Sequence, residues 1–319
     1  MTNLSRPPGP RFSVARLGIA LALVAETALF ALLSPHFLTT DNLLNISLQT
    51  SITAIIAAGM TFVILTGGID LSVGSLVALV GIVATLVVRS LAPPAWGMAA
   101  ALAVGLIAGA ASGYLAGLSI TRFRITPFIA TLALMTVWRG LAFIVTEGRP
   151  IWELPPEFTT LGGGRWAGVP VPTLLMALVF IGAHVTLMHT RFGRHVYAVG
   201  GNIEAARLAG IKTHRVLVQV YVLCGALTAL SGILLASRLS SGQPNAGLMY
   251  ELDVIAAVVV GGASLSGGRG SIIGTFIGSM LIGVLRNGLN LLDVGSYVQQ
   301  VIVGAVILLA VMSDKSRKE

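Results

Sequence analysis

Charged side chains are scarce in this sequence. Only 10% of its 319 residues are Asp, Glu, Lys or Arg, whereas 55% are hydrophobic. A soluble globular domain carries about 25% charged residues. A single core cannot hide this much apolar surface from water, so the composition excludes an ordinary soluble domain. It predicts a protein whose surface is largely covered by membrane lipid.

The sequence also lacks the residue patterns of common catalytic and metal sites. It has one cysteine, Cys224, which cannot build a disulfide framework and is expected to be a small core residue. None of its five histidines belongs to an H-E-x-x-H motif or a Cys/His cluster, so we expect no metal site. There is no G-x-x-x-x-G-K-[ST] loop and no G-x-S-x-G elbow. We therefore expect a non-enzymatic chain that binds no ATP or other cofactor itself.

What the sequence does contain is a series of long apolar runs. A helix needs about 20 mostly apolar residues to cross a bilayer. The candidate spans lie near 15–33, 48–66, 72–90, 97–119, 127–146, 171–189, 215–236, 252–263, 270–292 and 296–312. The eighth is short and runs into a glycine pair, as a broken or half-crossing helix does. We expect an all-α polytopic protein of about ten spans, in which residues 15–312 form one membrane domain between tails 1–14 and 313–319.

The positions of the basic residues orient this domain. The net charge of +8 could suggest a nucleic-acid partner, but the basic residues lie in short loops between apolar spans. With the N-terminus inside, the inner segments hold Arg6, Arg11, Arg16, Arg122, Arg124, Arg191, Arg194, Arg207, Lys212, Arg215, Arg269, Lys315, Arg317 and Lys318. The outer segments hold only Arg89, Arg149, Arg165 and Arg238. The positive-inside rule then predicts that both termini are cytoplasmic, and no nucleic-acid partner is expected.

Glycines recur every fourth residue in two of the spans. They are Gly105, Gly109, Gly113 and Gly117 in the fourth span, and Gly270, Gly274 and Gly278 in the ninth. Small residues at this spacing let helix backbones approach closely in lipid, where no hydrophobic attraction between helices exists. We expect these glycines to pack helices and to carry no chemistry.

A polar, basic segment separates the sixth and seventh spans. Residues 190–215 contain no run that could cross a bilayer, and their charge predicts a cytoplasmic position. Asn202 is expected to cap a short helix, and Gly210 to end it. Such a helical loop favours contact with a cytoplasmic partner. The alternative is an ordinary basic loop that only sets the topology.

Polar side chains within or beside the spans are candidates for a solute pathway. They are Asn45, Gln49, Thr53, Asp70, Arg286, Asn287 and Asn290. Amides and hydroxyls suit a neutral polyhydroxylated solute, which needs donors and acceptors but no countercharge. The alternative is that they hydrogen-bond one helix to another. For Asp70 the simplest interpretation is a cap on the third helix, which is compatible with a position at the inner mouth of a pathway.

Part of the sequence repeats itself. The string Gly67–Ser72 (GGIDLS) recurs as Gly261–Ser266 (GGASLS), and each copy lies between two apolar segments. Paired interruptions in corresponding halves of a transporter point toward its pathway.

Several strings resemble one known family. They are LTTDNLLNI at 38–46, ILTGGIDLSVGS at 64–75, YELDVIAAVV at 250–259 and NGLNLL at 287–292. The chain resembles the permeases of ribose-type ABC importers, within the branched-chain amino acid and sugar permease family, over residues 35–312. The resemblance implies a type II importer-like bundle in the bacterial inner membrane. It also implies import of a monosaccharide, ribose or a similar pentose or polyol.

The resemblance implies partners as well. These are a second permease subunit, with a homodimer expected, a cytoplasmic ABC ATPase that holds ATP and Mg²⁺, and a periplasmic sugar-binding protein. The ATPase-coupling loop would comprise Gly200, Gly201, Asn202, Glu204, Ala205, Ala206 and Gly210, which match the short EAA---G pattern but lack its later proline. On the outer face Arg149, Arg165 and Arg238 are candidates for docking the binding protein.

Three other functions stay open from the sequence. An ion-gradient-driven sugar transporter could use Glu26 and Asp70 as relay acids, although two acids without a paired histidine are few for a proton relay. A permease for branched-chain amino acids belongs to the same wider family. An integral membrane enzyme lacks any clustered nucleophile, acid or metal set.

Overall fold

The computed structural model describes residues 14–91 and 93–316, of which most are helical. The helices are α1 (Val14–Leu33), α2 (Thr40–Leu65), α3 (Val73–Ser90), α4 (Pro94–Arg122), α5 (Pro127–Thr146), α6 (Pro156–Gly163), α7 (Val171–His189), α8 (Arg191–Gly201), α9 (Ile203–Leu208), α10 (Thr213–Arg238), α11 (Tyr250–Val260), α12 (Ile272–Leu291) and α13 (Ser296–Ser316). Two short antiparallel strands, β1 (Arg165–Trp166) and β2 (Val169–Pro170), form a ribbon before α7.

Seven helices among the described residues are long and apolar enough to cross a membrane, namely α2, α3, α4, α5, α7, α10 and α12. Shorter apolar stretches lie at Leu17–Leu33 in α1 and at Ser296–Val306 in α13. Helix α11 has 11 residues, which at 1.5 Å per residue reach about half of a 30 Å hydrocarbon layer. The multi-pass membrane architecture is therefore confirmed. The expected short eighth segment is present as α11, while a count of ten full crossings stays a prediction.

Helix α2 is the central helix of the bundle. Most of its apolar stretch is buried, with Ile55, Phe62 and Leu65 fully covered, and it packs against α7, α10, α11 and α12. A helix that is apolar on every face must be buried or span a membrane. Lipid-facing helices such as α5 instead keep large apolar side chains exposed, for example Ile144 at 73%.

The glycine face of the fourth span is confirmed as a packing surface. A side chain at Gly109 would collide with Gly225 of α10, and one at Gly113 would collide with the backbone of Tyr221. Gly117 also faces the backbone of α10, at Val218, and Gly105 faces the side chain of Ile233. The two backbones are therefore in direct contact, as small-residue helix pairs in lipid allow.

The second glycine series is only partly correct. Gly274 and Gly278 of α12 pack directly on the backbone of Gly261 and Ala257 at the end of α11. Gly270, however, lies outside the helix, because Ser271 caps α12 by accepting a hydrogen bond from the Gly274 N–H at 3.1 Å. Gly270 instead packs against Ala263 in the loop between α11 and α12.

Candidate functional site

The alternation of the helices gives the bundle two ends. Residues 190–215 form α8, α9 and the start of α10, and they lie beside the end of α2 and the loop between α11 and α12. We name this the loop end. The opposite end carries the start of α2, the end of α10, the start of α11 and the end of α12, together with the 147–170 segment. We name it the cavity end.

Two consecutive capped helices organise the loop end. The Thr190 hydroxyl caps α8 by accepting a hydrogen bond from the Gly193 N–H at 3.2 Å. The Asn202 side chain caps α9 by accepting one from the Ala205 N–H at 2.9 Å. Gly210 has a φ of +83° and ends the turn, where the Ile211 N–H donates to the Ala206 carbonyl at 3.1 Å. The expected cap at Asn202 and the expected end at Gly210 are therefore both present.

Helix α9 turns one face inward and one outward. Ala206 is only 4% exposed and belongs to the chain's own core, so its surface is already covered. Ala205 is exposed, and so are two apolar residues, Leu208 at 81% and Ile203 at 45%. Glu204 pairs with Arg207 across one turn at 2.8 Å, on the surface. Of the two alanines expected to approach a partner, only Ala205 has free surface.

The end of α8 contacts both the end of α2 and the loop between α11 and α12. A Cβ at Gly200 would collide with the Leu65 carbonyl at the end of α2 and with the N–H of Gly268 in the loop between α11 and α12. That N–H donates to the Leu65 carbonyl at 2.9 Å. The next residue, Gly201, has no atom within 4 Å of its Cβ position. We name the contact between Leu65, Gly200 and Gly268 the three-backbone junction.

The internal repeat has a structural counterpart. After α2, Gly67 has a φ of +78° and the Gly68 N–H donates to the Val63 carbonyl at 3.1 Å. After α11, Gly262 has a φ of +87° and the Ala263 N–H donates to the Val258 carbonyl at 3.1 Å. Both helices end in the same left-handed turn. The sequence repeat aligns Gly67 with Gly261, whereas in the structure Gly67 corresponds to Gly262.

Asp70 lies at the loop end and is 1% exposed. Its Oδ1 accepts hydrogen bonds from the Ser72 N–H at 2.9 Å and from the Ser72 hydroxyl at 2.6 Å. The carboxylate closes the turn that leads into α3, but the N-cap of α3 is Ser72, so the prediction that Asp70 itself caps this helix is wrong. A role for Asp70 at the mouth of a pathway stays a prediction.

A cavity of about 360 Å³ opens toward the cavity end. Its lining comes from four helices and one loop and comprises Gln49, Thr50, Thr53, Leu235, Arg238, Leu239, Ala246, Gly247, Tyr250, Asp253, Ile282, Gly283 and Arg286. Three of the predicted pathway residues, Gln49, Thr53 and Arg286, therefore lie together. The polar side chains of α11 were missed, because Tyr250 and Asp253 occur in a string that otherwise reads as an apolar span.

An ion pair crosses this cavity from α11 to α12. Arg286 Nη2 donates to both carboxylate oxygens of Asp253, at 2.6 and 2.8 Å. The side chain of Asp253 is 9% exposed and that of Arg286 is 35% exposed. A charge at membrane depth needs such a partner, which explains how the bundle tolerates Arg286.

We expect Asp253→Asn to destabilise the bundle, because it leaves the Arg286 charge without its partner. Removing one partner of a buried ion pair lowers the free energy of unfolding by about 3 kcal/mol at the low end of the known range. We expect the low end here because Arg286 is partly exposed. Thermal unfolding of the purified protein in detergent measures the loss. The double variant Asp253→Asn with Arg286→Gln should recover part of it. A single variant as stable as the unchanged chain would contradict this role.

Of the remaining predicted residues on the spans, Asn287 and Asn290 form helix-to-helix hydrogen bonds, whereas Asn45 is bonded within α2. Asn287 is 3% exposed, and its amide exchanges two hydrogen bonds with Asn42, at 3.0 and 2.9 Å. Asn290 accepts a hydrogen bond from Gln299 at 2.8 Å. Asn45 accepts one from Gln49 at 3.0 Å and is exposed. None of Asn45, Asn287 and Asn290 is among the residues that line the cavity.

The three arginines predicted to dock the binding protein lie in two different environments, an exposed surface and the cavity. Arg149 and Arg165 are exposed at the cavity end, on the segment between α5 and α7. Arg238 is half-buried and lines the cavity instead. A further arginine, Arg139, lies within the apolar helix α5. It donates to the carbonyls of Pro244 and Ala246, at 2.6 and 2.9 Å, and so fixes the loop that forms one cavity wall.

Comparison with known proteins now gives the family. The family described as the permease component of branched-chain amino acid transport systems matches residues 42–311. The chain belongs to this permease family. It is 49% identical over 302 residues to the ribose import permease protein RbsC of Escherichia coli K12, covering 93% of each chain.

Two further relatives extend this comparison. The ribose import permease protein RbsC of Bacillus subtilis 168 is 50% identical over 305 residues, covering 95% of this chain and 93% of the relative. The L-arabinose transport system permease protein AraH of Escherichia coli K12 is 37% identical over 323 residues, covering 100% and 97%. No solved structure matches this permease. Within the described residues, no group of three or more His, Cys, Asp or Glu side chains could hold a metal ion.

Proposed function

We propose that this permease imports a monosaccharide, ribose or a similar pentose, as the non-catalytic transmembrane subunit of an ABC importer. The observation that carries the proposal is the sequence identity of 49% and 50% to two ribose import permeases. Each alignment covers 93% of the relative. The cavity is consistent with it, because a hydroxyl, an amide and a paired carboxylate and guanidinium suit hydroxyl groups.

The named relatives favour a sugar over a branched-chain amino acid. The cavity offers the polar side chains of Gln49, Thr53, Tyr250, Asp253 and Arg286 beside the apolar Leu235, Leu239 and Ile282. The relatives named for their sugars are ribose and arabinose permeases, which points to the same solute class.

In this proposal ATP and Mg²⁺ belong to a separate cytoplasmic ATPase that binds the loop end. The exposed apolar residues Leu208 and Ile203, beside the Glu204–Arg207 pair, provide the surface on which it would dock. The basic residues of this end and the positive-inside rule support its cytoplasmic position, and both termini would then also be cytoplasmic. A ten-span count would require α1, α11 and α13 to be counted as spans.

The cavity end would then face the periplasm. A sugar-binding protein would dock there, and Arg149 and Arg165 are exposed on that end and could pair with its acidic residues. A second identical permease subunit would complete the pore. An ion-gradient mechanism is less well supported, because Asp70 is engaged by Ser72 at the loop end, and neither Asp70 nor Glu26 lines the cavity.

Reconstitution tests the proposal. The permease would be placed in liposomes with radiolabelled ribose outside, either alone or with an ABC ATPase and a ribose-binding protein. We expect uptake only when all three proteins and ATP are present. Uptake by the permease alone, driven by a proton or sodium gradient, would contradict the proposal.

A further inference from the structure

A basic groove lies between the end of α4 and the start of α10, at the loop end of the bundle. Its volume is about 530 Å³, and none of its lining residues is acidic. The lining includes Tyr114, Leu118, Arg122, His214, Arg215 and Val218. Both helices are long and apolar enough to cross a membrane, and the groove lies at their ends. We name it the α4–α10 groove, and it lies at the level expected for lipid headgroups.

Close packing of the two helices produces this groove. Gly113 and Gly117 place α4 directly on the backbone of α10, at Tyr221 and Val218. Because the small residues draw the two backbones together, the larger side chains beside them border a narrow cleft. Tyr114 is 51% exposed, so the cleft opens outward, where membrane lipid covers the bundle.

The polar end of the groove carries an excess of positive charge. Arg122 and Arg215 are both exposed, and neither has an ion-pair partner within the part of the chain that the structure describes. A guanidinium binds a phosphate through two parallel hydrogen bonds, and an anion that contacts both guanidinium groups offsets their repulsion. The exposed ring of His214 adds an N–H donor. This end therefore suits a phosphate group.

The rest of the groove is apolar and extends toward the interior of the bilayer. Arg122 and Tyr114 are eight residues apart on α4, which is about 12 Å along the helix axis at 1.5 Å per residue. Leu118 of α4 lies between these two levels, and Val218 of α10 lines the groove opposite it. A charged end followed by an apolar stretch of this length matches a phosphate, its glycerol and the first carbons of its acyl chains. A free phosphate ion would leave the apolar part uncovered.

We propose that the α4–α10 groove binds one anionic phospholipid, whose phosphate contacts Arg122 and Arg215 and whose acyl chains lie against Leu118 and Tyr114. Basic pockets between membrane helices bind anionic lipid headgroups in this way. The inference goes beyond sugar import and requires only that α4 and α10 cross the membrane. Arg215 also lines a second hollow together with Gly210, which ends the turn after α9. The bound lipid therefore holds the start of α10 beside the surface proposed for the ATPase.

The double variant Arg122→Gln with Arg215→Gln tests the groove. Both side chains are exposed, so we expect unchanged thermal stability. The matched control is Arg191→Gln with Arg194→Gln, which removes two exposed charges from α8, at the same end but outside the groove. The measurement is native mass spectrometry of the purified full chain in detergent, titrated with phosphatidylglycerol or with phosphatidylcholine of the same acyl chains.

We expect the unchanged chain and the control variant to bind one phosphatidylglycerol in preference to phosphatidylcholine. The groove variant should bind phosphatidylglycerol about thirtyfold more weakly, as the loss of two basic contacts near a membrane surface implies. Equal binding by the groove variant would overturn the site, and so would equal weakening in the control variant. Displacement of phosphatidylglycerol by inorganic phosphate would show an anion site in which the acyl chains have no part, and it would also overturn the proposal.

Co-purification of the ATPase separates the lipid from the other partner that binds near these arginines. We expect the groove variant to retain the ATPase, because α9 and its exposed Leu208 are unchanged. A groove variant that loses the ATPase but still binds phosphatidylglycerol would assign Arg122 and Arg215 to the ATPase interface. That result would contradict the lipid site.

Discussion

Replacement of Gly200 by valine is expected to reduce ATP-driven uptake by about tenfold or more. Gly200 has no room for a side chain, because its Cβ would collide with the Leu65 carbonyl and the Gly268 N–H. Overpacking a tight contact costs about 1–3 kcal/mol or more when backbone must move. Here the backbone belongs to the end of α2 and to the loop between α11 and α12. A valine side chain would therefore force the three-backbone junction apart.

The neighbouring glycine provides the matched control. Gly201 is exposed and has no atom within 4 Å of its Cβ position, although it belongs to the same helix end. Gly201→Val should therefore retain most of the uptake. Both variants would be quantified in the membrane and melted in detergent, to separate lost folding from lost transport. Uptake by Gly200→Val equal to that by Gly201→Val would show that the junction is not required.

The second large effect is expected at Leu208. Its side chain is 81% exposed on α9, beside a surface ion pair, in a segment that is otherwise fixed by caps at both helices. An exposed leucine on such a rigid helix is suited to fill an apolar groove of a partner. We expect Leu208→Glu to weaken ATPase binding by at least about 2 kcal/mol, which is about thirtyfold, as at an interface hot spot. Uptake should then be lost.

The measurement for this prediction is co-purification of the ATPase with the solubilised permease, together with stimulation of ATP hydrolysis. Trp166→Glu serves as the control, since Trp166 is a similarly exposed apolar residue, at 72%, on the β-ribbon of the opposite end. It should retain ATPase binding. Normal ATPase binding by Leu208→Glu would remove α9 as the docking surface.

The sequence was sufficient for the features that depend on local patterns. Apolar runs predict the long spans, and the four-residue glycine spacing predicts the close contact of α4 with α10. The caps at Asn202 and Gly210 follow from the conformational preferences of these residue types. The repeat of Gly67–Ser72 at Gly261–Ser266 predicts paired interruptions, and a glycine with positive φ follows both α2 and α11.

Contacts between distant segments could not be read in the same way. Arg286 was seen as a polar residue in a span, but its partner Asp253 lies 33 residues earlier, in a string that reads as apolar. Asn287 was expected near a pathway, yet it is occupied by Asn42, 245 residues away. Arg238 was expected on an outer docking surface and lines the cavity instead, because α10 ends beside the start of α11.

The position of Leu208 relative to the membrane tests the central claim most directly. Cys224 is the one cysteine of the chain and is buried, so Cys224→Ala with Leu208→Cys yields a single reactive thiol on α9. A membrane-impermeant maleimide would be added to right-side-out or inside-out vesicles. The account predicts labelling only in inside-out vesicles, with protection when the ATPase is bound. Labelling of Cys at this position in right-side-out vesicles would contradict it.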